Sequence, residues 1–178
     1  MSQSTIKGKA DSKIELEHPD EIKIGIVQAQ WNAAITDHMA LECKKALKEA
    51  GIAEEHIYHE LVPGSFELPL GAQYLEHYLE PDAIICLGCV IKGETDHDLF
   101  INQGITSAIM GLNLRYAKPF VFGVLTVNNE EQALARTDGT KENKGREAAQ
   151  AALEMIGLDL KLKKSTRKSI GFKPFQSL

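Results

Sequence analysis

The stretch AIICLGCVIKGETDH, running from Ala83 to His97, decides how this chain folds. Its first five residues, Ala83–Leu87, are apolar and partly β-branched, which suits a strand buried on both faces. Gly88 to Asp96 then carries two glycines and several polar side chains, and reads as a loop. From His97 onward Ile101, Ile105, Ala108, Ile109 and Leu112 fall on one helical face, so a helix to about Leu114 is expected. The same strand–loop–helix unit recurs on both sides. Upstream, Ile22–Val27 is a short β-branched run, followed by a helix with Ile35, Met39, Cys43, Ala46, Leu47 and Ala50 inward and Gly51 as its stop. Ile57–Val62 is a second strand, Pro63-Gly64 breaks it, and Phe66–Leu79 forms a helix with Pro69 in its first turn. Downstream, Phe120–Val127 is a fourth strand. Asn129 opens a helix, with Gln132 placed for a capping box. Thr137–Glu142 interrupts it, and Ala148, Ala152, Met155 and Ile156 mark a last amphipathic helix. This alternation predicts one α/β domain, a four-stranded parallel sheet flanked by helices on both faces. Residues 1–21 read as a polar arm, 22–158 as the domain, and 159–178 as a basic, loosely ordered tail.

Composition narrows the function. The chain has 178 residues, 43% of them hydrophobic, enough for a real core. A net charge of −5 argues against general nucleic-acid binding. No apolar run is long enough to cross a bilayer, and Met1–Asp11 lacks the apolar stretch of a signal peptide, so a cytoplasmic location with no membrane partner is the expectation. The three cysteines, Cys43, Cys86 and Cys89, are too few for a disulfide framework. Cys86 and Cys89 have a C-x-x-C spacing, but Cys86 ends an apolar strand instead of opening an exposed helix, and no second ligand pair stands ready for zinc. Buried, reduced thiols and no metal are expected.

In a parallel sheet the ligand sits at the C-terminal ends of the strands. The segments to inspect are therefore Gln28–Asn32, Pro63–Glu67, Gly88–His97 and Val127–Asn129. The Gly88/Gly93 spacing is that of a P-loop, but Glu94-Thr95 stand where Lys and Ser/Thr are required. The loop amides and the Thr95 hydroxyl can still hold a phosphate, or simply form a tight turn capped by threonine. His97 is the one histidine of six at such a loop; His18, His38, His56, His59 and His77 lie in the arm, helices or strands. Imidazole gives and takes protons near neutrality. Ser65 and Glu67 can bind hydroxyl groups, or act as N-cap and first-turn acid. Trp31, the sole tryptophan, can stack on a flat heterocycle or pack as core, and Asn32 can cap the next helix or touch a ligand. Arg136, with Asn143-Lys144-Gly145 after it, can grip a phosphate through paired hydrogen bonds or sit solvated at the surface.

Taken in order, GSFELP at Gly64–Pro69, GCVIKGET-x-H at Gly88–His97, FGVLT at Phe122–Thr126, EQAL-x-R at Glu131–Arg136 and NKG at Asn143–Gly145 resemble the lumazine synthase family. The resemblance spans roughly Ile22 to Ile156. It implies a flavodoxin-like fold and the condensation of 5-amino-6-(D-ribitylamino)uracil with 3,4-dihydroxy-2-butanone 4-phosphate to 6,7-dimethyl-8-ribityllumazine, without metal or cofactor. It assigns Trp31 and Asn32 to the pyrimidine side, Ser65, Phe66 and Glu67 to the ribityl chain, and Cys89, Val90 and Ile91 to the ring. Glu94 and Thr95 would hold the phosphate and His97 would move the proton. Phe122, Arg136 and Lys144 would come from a neighbouring subunit. The implied assembly is a homopentamer, extendable to an icosahedral shell of about 60 subunits, with riboflavin synthase as a companion. Two stretches depart from the family pattern: Asp98-Leu99 replaces an aromatic-then-acidic pair after His97, and Gly139–Glu142 differs before NKG. Two other readings share the fold: a flavin-binding flavodoxin-like protein, which lacks its phosphate loop at Gln28–Trp31, and a shell protein without catalysis.

Overall fold

The computed structural model describes residues 16–137 and 143–169. Four parallel strands, β1 (Ile24–Ala29), β2 (Ile57–Val62), β3 (Ala83–Ile91) and β4 (Phe120–Val127), form one sheet in the order β2-β1-β3-β4. The helices are α1 (Ala33–Glu49), α2 (Leu68–Leu79), α3 (His97–Tyr116), the short α4 (Glu130–Leu134) and α5 (Lys144–Ser169). The two faces of the central strands explain the layers. Ile24, Ile26, Ile85 and Leu87 point to one side and pack with Met39, Cys43 and Leu47 of α1 and Ala149 and Ala152 of α5. Val27, Ile84 and Cys86 point to the other and pack with Leu68 and Ala72 of α2 and Ile105 and Ile109 of α3. β1 and β3, covered on both sides, therefore read as near-continuous apolar runs, interrupted in β1 by the buried Gln28. Among the described residues no helix is long and apolar enough to cross a membrane.

The structure moves several boundaries. β3 does not stop at Leu87; it continues through Gly88–Ile91, because β4 pairs with that whole stretch from Gly88↔Val124 to Ile91↔Val127. Gly88 is a glycine for a steric reason: a Cβ there would sit 2.6 Å from Ser65 Oγ and 2.9 Å from Leu68 Cδ1. The P-loop-like glycine spacing is thus half strand and half loop. β1 starts at Ile24 because the Lys23 N–H turns to the Asp82 carboxylate, 2.8 Å away. Ser65–Glu67 is a single 3-10 turn preceding α2, and Ser65 makes no capping bond. The Asn129 cap forms as read: Asn129 Oδ1 accepts from Gln132 N–H at 2.9 Å, and Gln132 Oε1 accepts from Asn128 N–H at 2.9 Å.

Two helical faces differ from expectation. Ala108 of α3 and Met155 of α5 are exposed, not inward. In α3 the reason is that the outward side is apolar too: Leu99, Phe100, Met110 and Leu114 all stand in solvent in the single chain, so apolar spacing does not single out one face. α5 runs on to Ser169, where a loose tail was expected from residue 159; no Gly or Pro lies between Leu158 and Ser169 to stop it. The expectations for residues 1–15, for 138–142 with their Gly139–Glu142 departure, and for 170–178 lie outside the described residues.

Candidate active site

The strand order turns outward from β1 to β2 on one side and from β3 to β4 on the other, so the β1/β3 boundary is the crevice of this sheet. At its C-terminal end opens a cleft of about 560 Å³. Trp31 and Asn32 line it from the first loop, Pro63–Glu67 from the second, Cys89–Ile91 from the end of β3, and Gly93, Thr95, His97, Asp98 and Ile101 from the loop and start of α3.

The cleft exists because β1 is shorter than β3. Their pairing ends at Gln28↔Leu87, while β3 continues to Ile91 against β4. Beyond Leu87 the β1-facing edge of β3 has lost its strand. Asn32 takes one of the freed groups: its Nδ2 donates to Cys89 O at 3.0 Å. Asn32 does not cap α1 with its side chain; its backbone sits in the left-handed region at φ 61°, which frees the amide to reach β3. Lys92 N–H bonds Val127 O at 2.8 Å, toward β4. Backbone direction alternates along a strand, so the peptide groups of Ile91 point the opposite way, into the side vacated by β1. This open edge can pair with the edge of a flat amide-bearing ring. Trp31, 72% exposed, presents a face for stacking beside it.

The turn carrying Trp31 is held from behind. Gln30 N–H bonds Val62 O at 2.8 Å and Trp31 N–H bonds Pro63 O at 3.2 Å, continuing the β1–β2 ladder past the strands. Gln28, buried, donates from Nε2 to Asp37 Oδ1 at 2.6 Å and Thr36 Oγ1 at 3.3 Å, and its Oε1 accepts from His59 Nε2 at 2.9 Å. The Thr36 hydroxyl donates to Ala29 O at 2.9 Å. Burial pushes the His59 imidazole below its ordinary value, aided by Lys44 and opposed by Asp37. The reading from sequence missed this network; its signal was a glutamine inside an apolar strand.

On the far wall, no side chain caps α3; the Leu99 N–H bonds Asp96 O at 3.1 Å, and the amides of His97 and Asp98 before it stay available to an anion next to Thr95. A Cβ added to Gly93 would meet nothing within 4 Å. His97 begins the helix and is exposed. The structure thus brings Trp31, Asn32, Ser65, Phe66, Glu67, Cys89, Val90, Ile91, Thr95 and His97 to one cleft. Glu94, expected beside Thr95, is exposed and is not among the lining residues. Gly93, Asp98 and Ile101, to which the sequence assigned no ligand role, also line the cleft. Phe122, Arg136 and Lys144 do not line it within one chain. Phe122 is half-buried against the α2–α3 layer. Arg136 and Lys144 both pair with Glu147, at 2.7 and 3.2 Å.

Cys86 and Cys89 face opposite layers of the sheet and are free thiols. Burial pushes Cys86 up to about 12 and Cys89 to about 11. They cannot grip one ion together, and neither is a ready thiolate.

Residues 21–159 match the family described as 6,7-dimethyl-8-ribityllumazine synthase. The chain belongs to the 6,7-dimethyl-8-ribityllumazine synthase family. Among relatives bearing that name, one from Cytophaga hutchinsonii is 48% identical over 132 residues, covering 74% of this chain and 83% of the relative. One from Methylibium petroleiphilum is 40% identical over 157 residues, 88% of this chain and 94% of the relative. One from Bacteroides fragilis is 43% identical over 135 residues, 76% and 94%. Membership in the lumazine synthase family makes the chain a transferase of riboflavin biosynthesis.

Proposed function

We propose that the β1/β3 cleft is the larger part of the active site of a lumazine synthase, completed by a second copy of the chain. The reaction joins 5-amino-6-(D-ribitylamino)uracil to 3,4-dihydroxy-2-butanone 4-phosphate, giving 6,7-dimethyl-8-ribityllumazine with release of phosphate and water. The observation that carries this reading is the vacated β3 edge at Cys89–Ile91, set between the exposed Trp31 ring and the uncapped start of α3 at His97. The uracil ring stacks on Trp31 and pairs its amide edge with the backbone of β3. Ser65, Phe66 and Glu67 receive the ribityl chain, Ser65 and Glu67 taking its hydroxyls. Thr95 and the first amides of α3 take the phosphate.

The chemistry asks for little beyond this. The amine adds to the ketone and water leaves as the imine forms. Phosphate departs, and the ring closes with loss of a second water. Each step moves a proton at nitrogen or oxygen, which His97 can supply or accept. Holding two substrates in contact contributes much of the acceleration.

The cleft lining contains Glu67 and Asp98 and no Lys or Arg. A phosphate dianion bound there needs a cation from elsewhere, and we assign that role to Arg136 of a neighbouring copy, with Phe122 and Lys144 beside it. The exposed apolar side chains of α3, Phe100 and Leu114 among them, favour an assembly that covers them. We take it to be a homopentamer. Three unpaired, buried cysteines fit a reducing compartment, and we place the enzyme in the cytoplasm.

The test is lumazine formation by the purified chain from both substrates, with a mixing arm. His97→Ala and Arg136→Ala chains are each assayed alone at limiting phosphorylated substrate, then unfolded and refolded together. A shared site regains activity on mixing, approaching about a quarter of wild type, because random pairing joins an intact His97 to an intact Arg136 in that fraction of interfaces. Activity that merely averages the two single variants means that the two residues do not act across chains.

A further inference from the structure

Among the described residues three buried side-chain polar atoms have no hydrogen-bond partner, and two of them, Asp98 Oδ1 and Asn102 Oδ1, lie one helical turn apart on α3. Asp98 heads the stripe that continues through Ile101, Ile105, Ile109 and Leu112, whose last three members are core. A carboxylate therefore occupies a position that the helix otherwise gives to apolar side chains. It also lines the cleft, between His97 and Ile101. Asp98 is half-buried, and its Oδ1, withdrawn from water and left without a donor, is unfavourable until a donor arrives. Among the described residues nothing supplies one: His97 and Lys92, the nearest basic side chains in sequence, are exposed and make no bond to it. Asn102 is not part of the cleft lining, so an incoming ligand meets Asp98 first.

The sign of the charge selects between the two substrates. A phosphate dianion is repelled by a carboxylate in the same cleft. The aminouracil is neutral and rich in N–H and O–H groups. We propose that Asp98 is a substrate-contacting residue whose carboxylate accepts a hydrogen bond from an N–H or O–H of the aminouracil, and so helps the cleft choose that substrate. This rests on the reading of the cleft given above. It assigns a role to the residue that breaks the family pattern after His97.

The experiment uses the full-length assembled protein and the variants Asp98→Asn and Asp98→Leu. Binding of the aminouracil alone is followed by quenching of Trp31, the only tryptophan. The KM for the phosphorylated substrate, the melting temperature without ligand and the mass of the assembly are measured beside it. Asp98→Leu is expected to weaken aminouracil binding about tenfold or more, the size of one hydrogen bond to a charged acceptor. Asp98→Asn, which keeps one acceptor oxygen, is expected to lose less. The KM for the phosphorylated substrate should not rise, since a like charge has been taken out of the cleft, and the ligand-free Asp98→Leu protein should melt no lower than wild type, since an unpartnered acceptor has been removed. Unchanged aminouracil affinity would overturn the proposal. So would a change confined to the phosphorylated substrate. Loss of assembly in both variants would overturn it too, by placing the missing donor on a second copy. Wild-type chain that forms no lumazine would remove the reading of the cleft itself; wild-type turnover with an indifferent Asp98 removes only this inference.

Discussion

Replacing Asn32 separates two contributions that meet at one residue. Its backbone is left-handed at φ 61°, and its Nδ2 donates to Cys89 O at 3.0 Å. For alanine the left-handed conformation costs about 1–2 kcal/mol. Losing the amide donor costs about 1 kcal/mol, more if Cys89 O stays dry where β1 has ended. Asn32→Ala should therefore destabilise the chain by about 2–3 kcal/mol. Asn32→Gly restores the backbone freedom but not the bond, and should cost only about 1 kcal/mol. Asn32→Asp tolerates the backbone but places an acceptor against an acceptor, and should be at least as damaging as glycine. Urea unfolding followed by far-ultraviolet circular dichroism reads these as shifts in midpoint at constant slope. If the glycine variant were as unstable as the alanine variant, the backbone argument would be wrong. If none of the three moved the midpoint, the bond to Cys89 would not be holding the Trp31 turn.

Other expectations follow from the same geometry. Gly93→Ala should leave the melting temperature unchanged, because its Cβ meets nothing in the chain within 4 Å, yet raise the KM for the phosphorylated substrate about tenfold by crowding the anion site; equal KM values would place the phosphate elsewhere. Cys86 and Cys89, raised to about 12 and about 11, should resist iodoacetamide at pH 8 until the protein is unfolded, and rapid alkylation of native protein would contradict their burial. His59 is shifted below its ordinary value of 6.5, chiefly by burial, so the fold prefers the neutral ring: its contribution is complete above pH 6.5 and is lost as pH falls from there toward the lower folded value. His59→Gln, which keeps a donor for Gln28, should flatten that part of the stability profile measured by urea titration between about pH 5 and 7.

Much of this was legible in the residues. The runs of β1 and β3 are apolar, with the buried Gln28 of β1 as the exception, because both faces are covered, and that pattern pointed to the parallel sheet and its crevice. The loop residues Trp31, Ser65, Glu67, Thr95 and His97 could be placed at one cleft because strand ends are where a parallel sheet exposes backbone. What stayed hidden depended on contacts distant in sequence. Nothing local says that β3 runs to Ile91; that follows from the length of β4, some thirty residues later. Gly88 looked like a loop glycine; pairing opposite Val124 makes it a strand residue, and the closeness of Ser65 and Leu68 leaves no room for a side chain there. Asn32 looked like a cap because side-chain type predicts capping, but the open carbonyl at Cys89 competes for the same amide and wins. Ala108 and Met155 were placed inward by apolar spacing, a signal that fails on helices whose outward face is also apolar.

That outward apolar face and the missing cation belong to one argument. One chain offers the phosphate a set of backbone amides, a threonine hydroxyl and His97, together with the carboxylates of Glu67 and Asp98. Amides alone can hold an anion, but two carboxylates in the same cleft work against it. The cation proposed for the site, Arg136, stands outside the cleft, tied by one nitrogen to Glu147 while its Nε is buried and unpartnered. A guanidinium with a free donor and a cleft with an unmet need for one are complementary, yet they do not meet within a single chain. The exposed Phe66, Phe100 and Leu114 supply apolar surface over which a second copy can dock and bring them together. On this argument catalysis and assembly are coupled, so dilution or mutation that separates the copies should raise the KM for the phosphorylated substrate before it affects binding of the uracil to Trp31.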